Sequence, residues 1–142
     1  MKIFCLLVLL IAGIEDIKTR EIKNLYATVL VIVKIIWLIV LFDKSELIKS
    51  AVGFGMALLI SLLCFLIARD GIGLGDLILL GALGFFLGSE LFLSGLLITS
   101  VMSCLFSIIL LAVFKFEKKR EVPFVPFIFL GNLVAMCLEA FC

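Results

Sequence analysis

Apolar residues in this chain fall in long unbroken runs. They do not alternate as in a half-buried strand, nor form the single stripe of a surface helix. Six runs stand out, at 3–14, 25–42, 51–68, 77–87, 91–114 and 122–141, and the helix of the third is predicted to begin near Glu46. A membrane span takes about 20 apolar helical residues at about 1.5 Å each, so the pattern predicts helices that cross a bilayer. The fourth and fifth runs together cover residues 77–114. As one helix they would reach about 57 Å, far more than an apolar core of about 30 Å. Gly88-Ser89-Glu90 is therefore predicted to be a turn between two spans. A β-barrel would need alternating segments, which these are not.

The connectors are short and charged. Residues 15–24 include Asp16, Lys18, Arg20, Glu21 and Lys23; 43–49 are mixed; 69–76 are glycine-rich; and 115–121 read KFEKKRE. Alternating spans put the first, third and fifth connectors on one face. That face carries Lys18, Arg20, Lys23, Arg69, Lys115, Lys118, Lys119 and Arg120, against Lys2, Lys44 and Lys49 on the other. The positive-inside rule makes the richer face cytoplasmic and places both termini outside. The expectation is an all-α polytopic bundle of six transmembrane helices, with residues 1–142 as a single domain. Two alternatives stand beside it. The opening MKIFCLLVLLIAG also has the plan of a cleaved signal peptide, whose loss would remove one span. The KFEKKRE run, besides setting topology, would suit anionic lipid.

Composition agrees and narrows the chemistry. The chain is 65% hydrophobic and 16% charged, with a mean hydropathy of +1.44, where a soluble domain is about 45–50% apolar and about 25% charged. It contains no histidine. That excludes Ser-His-Asp and Cys-His catalysis, HExxH zinc sites and histidine-ligated haem. Cys5, Cys64, Cys104, Cys137 and Cys142 form no CxxC pair, so no zinc site is expected and the thiols read as small packing residues. No metal or cofactor is called for. A net charge of +1 gives no reason to expect a nucleic-acid partner.

Hydrolytic chemistry must then rest on other groups, and span parity picks out two aspartates. Asp16 follows the first run and Asp76 precedes the fourth, with two spans between them, so both face the same side. Pro123 and Pro126 open the sixth run on that side too. The first and fourth runs are too short for the full hydrocarbon thickness, so either the bundle shields their ends or the bilayer thins there. Carboxylates in such positions are candidates for function. Two that approach closely do not both ionise cheaply; one keeps a proton while the other acts as a base, and the pair can activate water without histidine or metal. Gly71, Gly73 and Gly75 alternate just before Asp76. They would allow a substrate backbone to approach closely, or they form a plain turn with Asp76 as the helix cap.

Gly73-Leu74-Gly75-Asp76 resembles the GxGD signature of intramembrane aspartic proteases, a class that includes type IV prepilin peptidases. The stretch from Asp16 through Ile22 to Asn24 resembles the D-x-x-x-x-x-I-P-N segment of prepilin peptidases, and Pro123-Phe124-Val125-Pro126-Phe127 resembles their PFGPF segment. The three occur in family order. The resemblance implies Asp16 and Asp76 as the catalytic pair, roles unassigned. It implies Gly73 and Gly75 as the turn presenting Asp76, Ile22 and Asn24 as supporting positions, and Pro123 and Pro126 as shaping the start of the last span. The implied substrate is a prepilin, pseudopilin or related precursor with a short basic leader before an apolar helix, cut on the cytoplasmic side. Lys23, Val125 and Ile78 stand where the family usually has proline, glycine and lysine, which bears on substrate choice. The chain has no large insertion with cysteine pairs, so N-methylation is not implied.

Other functions and features complete the reading. A small proton- or cation-coupled carrier or assembly protein would also use membrane-edge carboxylates, and an inert relative would bind pilins without cutting them. Glu15, Glu21 and Asp70 flank the site, either as solvated charges or as attractants for a basic leader. Lys34 lies in mid-span and suggests a structural role, its stem reaching toward the outer boundary, with no partner identifiable. Gly84 and Gly88 suit close helix packing within the bundle more than dimerisation. Asn132 and Glu139 are expected to be hydrogen-bonded or near the outer surface.

Overall fold

The computed structural model of the protein describes residues 2–19, 24–67, 73–114 and 124–141, and these form an all-α structure. Its helices are α1 (Lys2–Thr19), α2 (Asn24–Leu41), α3 (Lys44–Ile67), α4 (Leu74–Leu87), α5 (Ser89–Phe114) and α6 (Val125–Phe141). Three of them are long and apolar enough to cross a membrane, over Asn24–Leu41, Lys44–Ile67 and Ser89–Leu110; α4 and α6 are shorter apolar helices. Large apolar side chains such as Ile32, Ile36, Ile39, Leu59, Leu62, Leu97 and Ile108 point outward, as lipid-facing positions do.

The short fourth helix is the centre of the packing. Leu79, Leu80, Gly81, Ala82, Leu83, Gly84 and Phe86 are all buried, so α4 is covered nearly all round. The bundle thus covers α4 from Leu79 onward, while its Asp76 end, from Gly73 to Ile78, is exposed or half-buried. Its close partner is α3, and small residues permit the approach. A Cβ on Gly53 would overlap Gly84 O and lie 2.9 Å from Gly88 Cα, while Gly84 faces Ala57 and Gly53. Gly84 and Gly88 thus pack inside the bundle, as expected from their spacing. Gly88 has φ 80, and its N–H bonds to Gly84 O at 3.1 Å. That left-handed backbone favours glycine and makes the break between α4 and α5.

The other junction described in full, between α2 and α3, works differently. Phe42 takes φ 49 and ends α2. Asp43 then caps α3: its Oδ1 accepts from Ser45 N and from Ser45 Oγ, both at 2.9 Å, and Leu47 N donates to Asp43 O at 3.1 Å.

Helix α6 runs antiparallel to both α1 and α5. Lys2 on α1 meets Glu139 at the far end of α6, whereas a Cβ added to Gly13 would stand 3.5 Å from Pro126 at its start. Thr99 on α5 donates to Phe127 O at 3.2 Å, and Phe106 packs on Phe127 with ring centroids 5.1 Å apart. The shared core joins α1, α2, α4 and α6 through Cys5, Leu9, Leu30, Leu79, Leu83, Val125 and Ile128. Chain alternation then brings the end of α1 and the starts of α2, α4 and α6 to one end of the bundle.

Candidate active site

Asp16 belongs to the buried face of α1. Cys5, Val8, Leu9, Ala12, Gly13 and Asp16 follow each other at helical spacing, and all are buried. The apolar run stops at Ile14, but the helix continues to Thr19, whose hydroxyl donates to Glu15 O at 3.0 Å. Asp16 therefore lies inside the helix rather than in a connector. Only 5% of it is exposed.

Its carboxylate is held across the bundle by α6. Val125 N donates to Asp16 Oδ2 at 3.1 Å. Val125 is the first residue of α6, so the aspartate accepts one of the backbone N–H groups that a helix start leaves over. Pro126 follows, resting on Gly13. A proline in the first helical turn gives up an N–H that has no partner in the helix anyway. The proline-bearing segment thus supplies a donor to the carboxylate and a flat surface to the helix that carries it. Pro123 and Ile22 lie outside the described residues, as do Glu21 and Asp70.

Asp76 sits in the first turn of α4 and is partly exposed. It is not the helix cap. Gly73 holds that position in extended conformation, φ −65 and ψ 136, and no side chain caps the helix; Asp76 N and Leu77 N both turn back to Gly73 O, at 3.0 and 3.4 Å. The Asp76 side chain makes no capping bond but lies beside the cap, with Oδ2 3.9 Å from where a Gly73 Cβ would stand. Gly75 is in the same turn. A negative side chain in the first turn also suits the positive end of the helix dipole. Asn24 opens α2 at this same end, its carbonyl accepting from Thr28 Oγ1 at 2.9 Å.

One contact here had no forecast in the sequence. The hydroxyl of Tyr26, the chain's single tyrosine, donates to Glu15 Oε2 in a short bond. Glu15 and Asp16 are consecutive, so one carboxylate ties α1 to α2 and the next ties it to α6. The last turns of α1 are thereby fixed from two sides. A lone tyrosine just inside an apolar helix, ten residues from an aspartate, was the available signal.

A buried carboxylate held by a backbone amide and a second at the start of α4 thus lie at the same end of the bundle. The chain matches the type IV leader peptidase family over residues 3–114 and belongs to that family of aspartic-type prepilin peptidases. The matched stretch ends before α6, so the Val125 and Pro126 contacts lie beyond it. Neither the curated proteins nor the solved structures give a match to the chain.

Proposed function

We propose that this protein removes the short basic leader of type IV prepilins or pilin-like precursors, with Asp16 and Asp76 jointly activating water. The observation that carries the reading is the shared location of the two aspartates, in a chain that belongs to a leader peptidase family. Family membership implies a prepilin-type substrate. At the polar end of the bundle a substrate's apolar helix would remain in lipid while its leader lies in water.

In this reading water is placed between the two carboxylates. One, ionised, takes a proton from the water as the oxygen attacks the scissile carbonyl. The other, protonated, donates to the carbonyl oxygen and later supports departure of the amine. The titration belongs to the pair. All six helices would span the membrane, α4 and α6 being the shorter ones. Residues 1–142 would act as one unit, with the aspartates on the cytoplasmic face and both termini outside, as the distribution of basic residues supports. Gly73 and Gly75 would let the substrate backbone lie close to Asp76.

The test is co-expression with a precursor that carries a basic leader before an apolar helix. Wild-type protein shortens the precursor, and Asp16→Ala and Asp76→Ala each abolish shortening. Processing that survives either change would remove that aspartate from the mechanism.

A further inference from the structure

A cavity lies at the end opposite the aspartates. It is a cleft of about 640 Å³ to which every helix contributes, within the range of about 300–1,000 Å³ that small-molecule sites occupy. Its depth holds Lys34, which is 5% exposed and donates to Glu46 Oε2 at 3.2 Å. The Lys34 ammonium also stands 6.0 Å from the centre of the Phe86 ring. A second pair, Lys2–Glu139, closes the rim at 2.7 Å. Lys49 and Glu90 line the cleft as well, are exposed, and enter no ion pair among the described residues. They are neighbours: the Lys49 backbone packs against Gly88, two residues before Glu90.

The charge pattern selects the ligand. Lys2, Lys34 and Lys49 balance Glu46, Glu90 and Glu139. A purely anionic ligand would meet three carboxylates, and a purely cationic one three ammonium groups. A ligand with both charges uses both sets. Lys34 carries three N–H donors and gives one to Glu46, so it keeps donors for an acceptor such as phosphate. Trp37 also lines the cleft, and exposed Ile36, Ile39 and Val40 flank it on α2. Indole rings favour the membrane–water boundary, and the isoleucine and valine surface would suit acyl chains.

We propose that this cleft binds the zwitterionic headgroup of a membrane phospholipid, with Lys34 and Lys49 taking the phosphate and Glu90 the ammonium. Buried ion pairs are costly to form and can often be replaced by apolar residues. A cleft that opens onto such a pair gives the charges a ligand to hold.

The experiment uses the full chain in nanodiscs or detergent, with retained lipid read by native mass spectrometry. The probes are phosphatidylethanolamine, phosphatidylglycerol and soluble phosphoethanolamine. Phosphatidylethanolamine should be retained at least about tenfold more tightly than phosphatidylglycerol, a difference of about 1.4 kcal/mol, and soluble phosphoethanolamine should displace it. Glu90→Gln and Lys49→Gln change exposed side chains and leave the core intact, and each should weaken retention several-fold. Lys34→Met combined with Glu46→Leu should abolish the preference. Equal retention of the two lipids, or an unchanged preference in Glu90→Gln, overturns the proposal. Tight binding of soluble phosphoethanolamine with no preference among lipids would place the ligand in solution and overturn the lipid assignment.

Discussion

The two ends of this bundle treat charge in opposite ways. At one end lysines neutralise acids: Lys34 pairs with Glu46 and Lys2 with Glu139. At the other uncharged donors do the holding, Val125 N–H binding Asp16 and a tyrosine hydroxyl binding Glu15. A carboxylate paired with a lysine has an ammonium group against it. One held by a backbone N–H keeps a second oxygen for water or substrate. The contrast separates charges that serve architecture or ligand binding from charges that can serve hydrolysis.

Changes at the lysine end should alter stability without touching cleavage. Glu46→Leu leaves the Lys34 ammonium buried and unpaired, with an expected loss of about 3 kcal/mol, the low end for a broken buried pair because Glu46 is partly exposed. Thermal unfolding in detergent reads this, and adding Lys34→Met should restore most of the loss. A single variant as stable as wild type would remove the contrast. Next in size is Gly53→Ala at the α3–α4 contact, costing about 1–3 kcal/mol through overpacking. Gly55→Ala two residues away meets nothing within 4 Å and should cost nothing.

At the aspartate end the smaller test is Tyr26→Phe. It removes one hydrogen bond, worth about 1 kcal/mol, or roughly fivefold in rate. If Tyr26 steadies Asp16, kcat falls with KM unchanged; a change confined to melting temperature would make the contact purely structural. The smallest effect concerns Asp43. Hydrogen bonds from Ser45 N–H and then Ser45 Oγ hold its carboxyl below the usual 3.8. A lowered value stabilises the fold above the unfolded pKa, and the contribution is lost as pH falls through the folded one. Melting curves of wild type and Asp43→Ala should therefore differ at pH 5–7 and draw together in stronger acid.

Much of this arrangement was legible in the sequence. The continuous runs marked the helices, Gly88 marked the break between α4 and α5, and parity put Asp16 and Asp76 at one end. The run pattern failed at α1 because Glu15, Asp16 and Lys18 interrupt hydropathy without interrupting the helix. Helical spacing from Cys5 to Asp16 would have placed the aspartate on the buried face. The alternative that made Asp76 a cap failed because Gly73 takes that position. The partner of Lys34 was illegible: Glu46 lies across a turn, and only the rotation of α3 against α2 brings the two together. The hold on Asp16 by Val125 spans 109 residues, and no local pattern announces it.

The central claim is that Asp16 and Asp76 work as a unit. Its most direct measurement is the single-turnover cleavage rate of purified wild type, Asp16→Asn, Asp76→Asn and the double variant on one prepilin-type precursor. The account predicts that each single change lowers the rate by about 10²–10⁴-fold. The double variant should then be no more than slightly slower than either single, because removing one member already disables the pair. Losses that multiply in the double variant, or a single variant that cleaves at the wild-type rate, would contradict it.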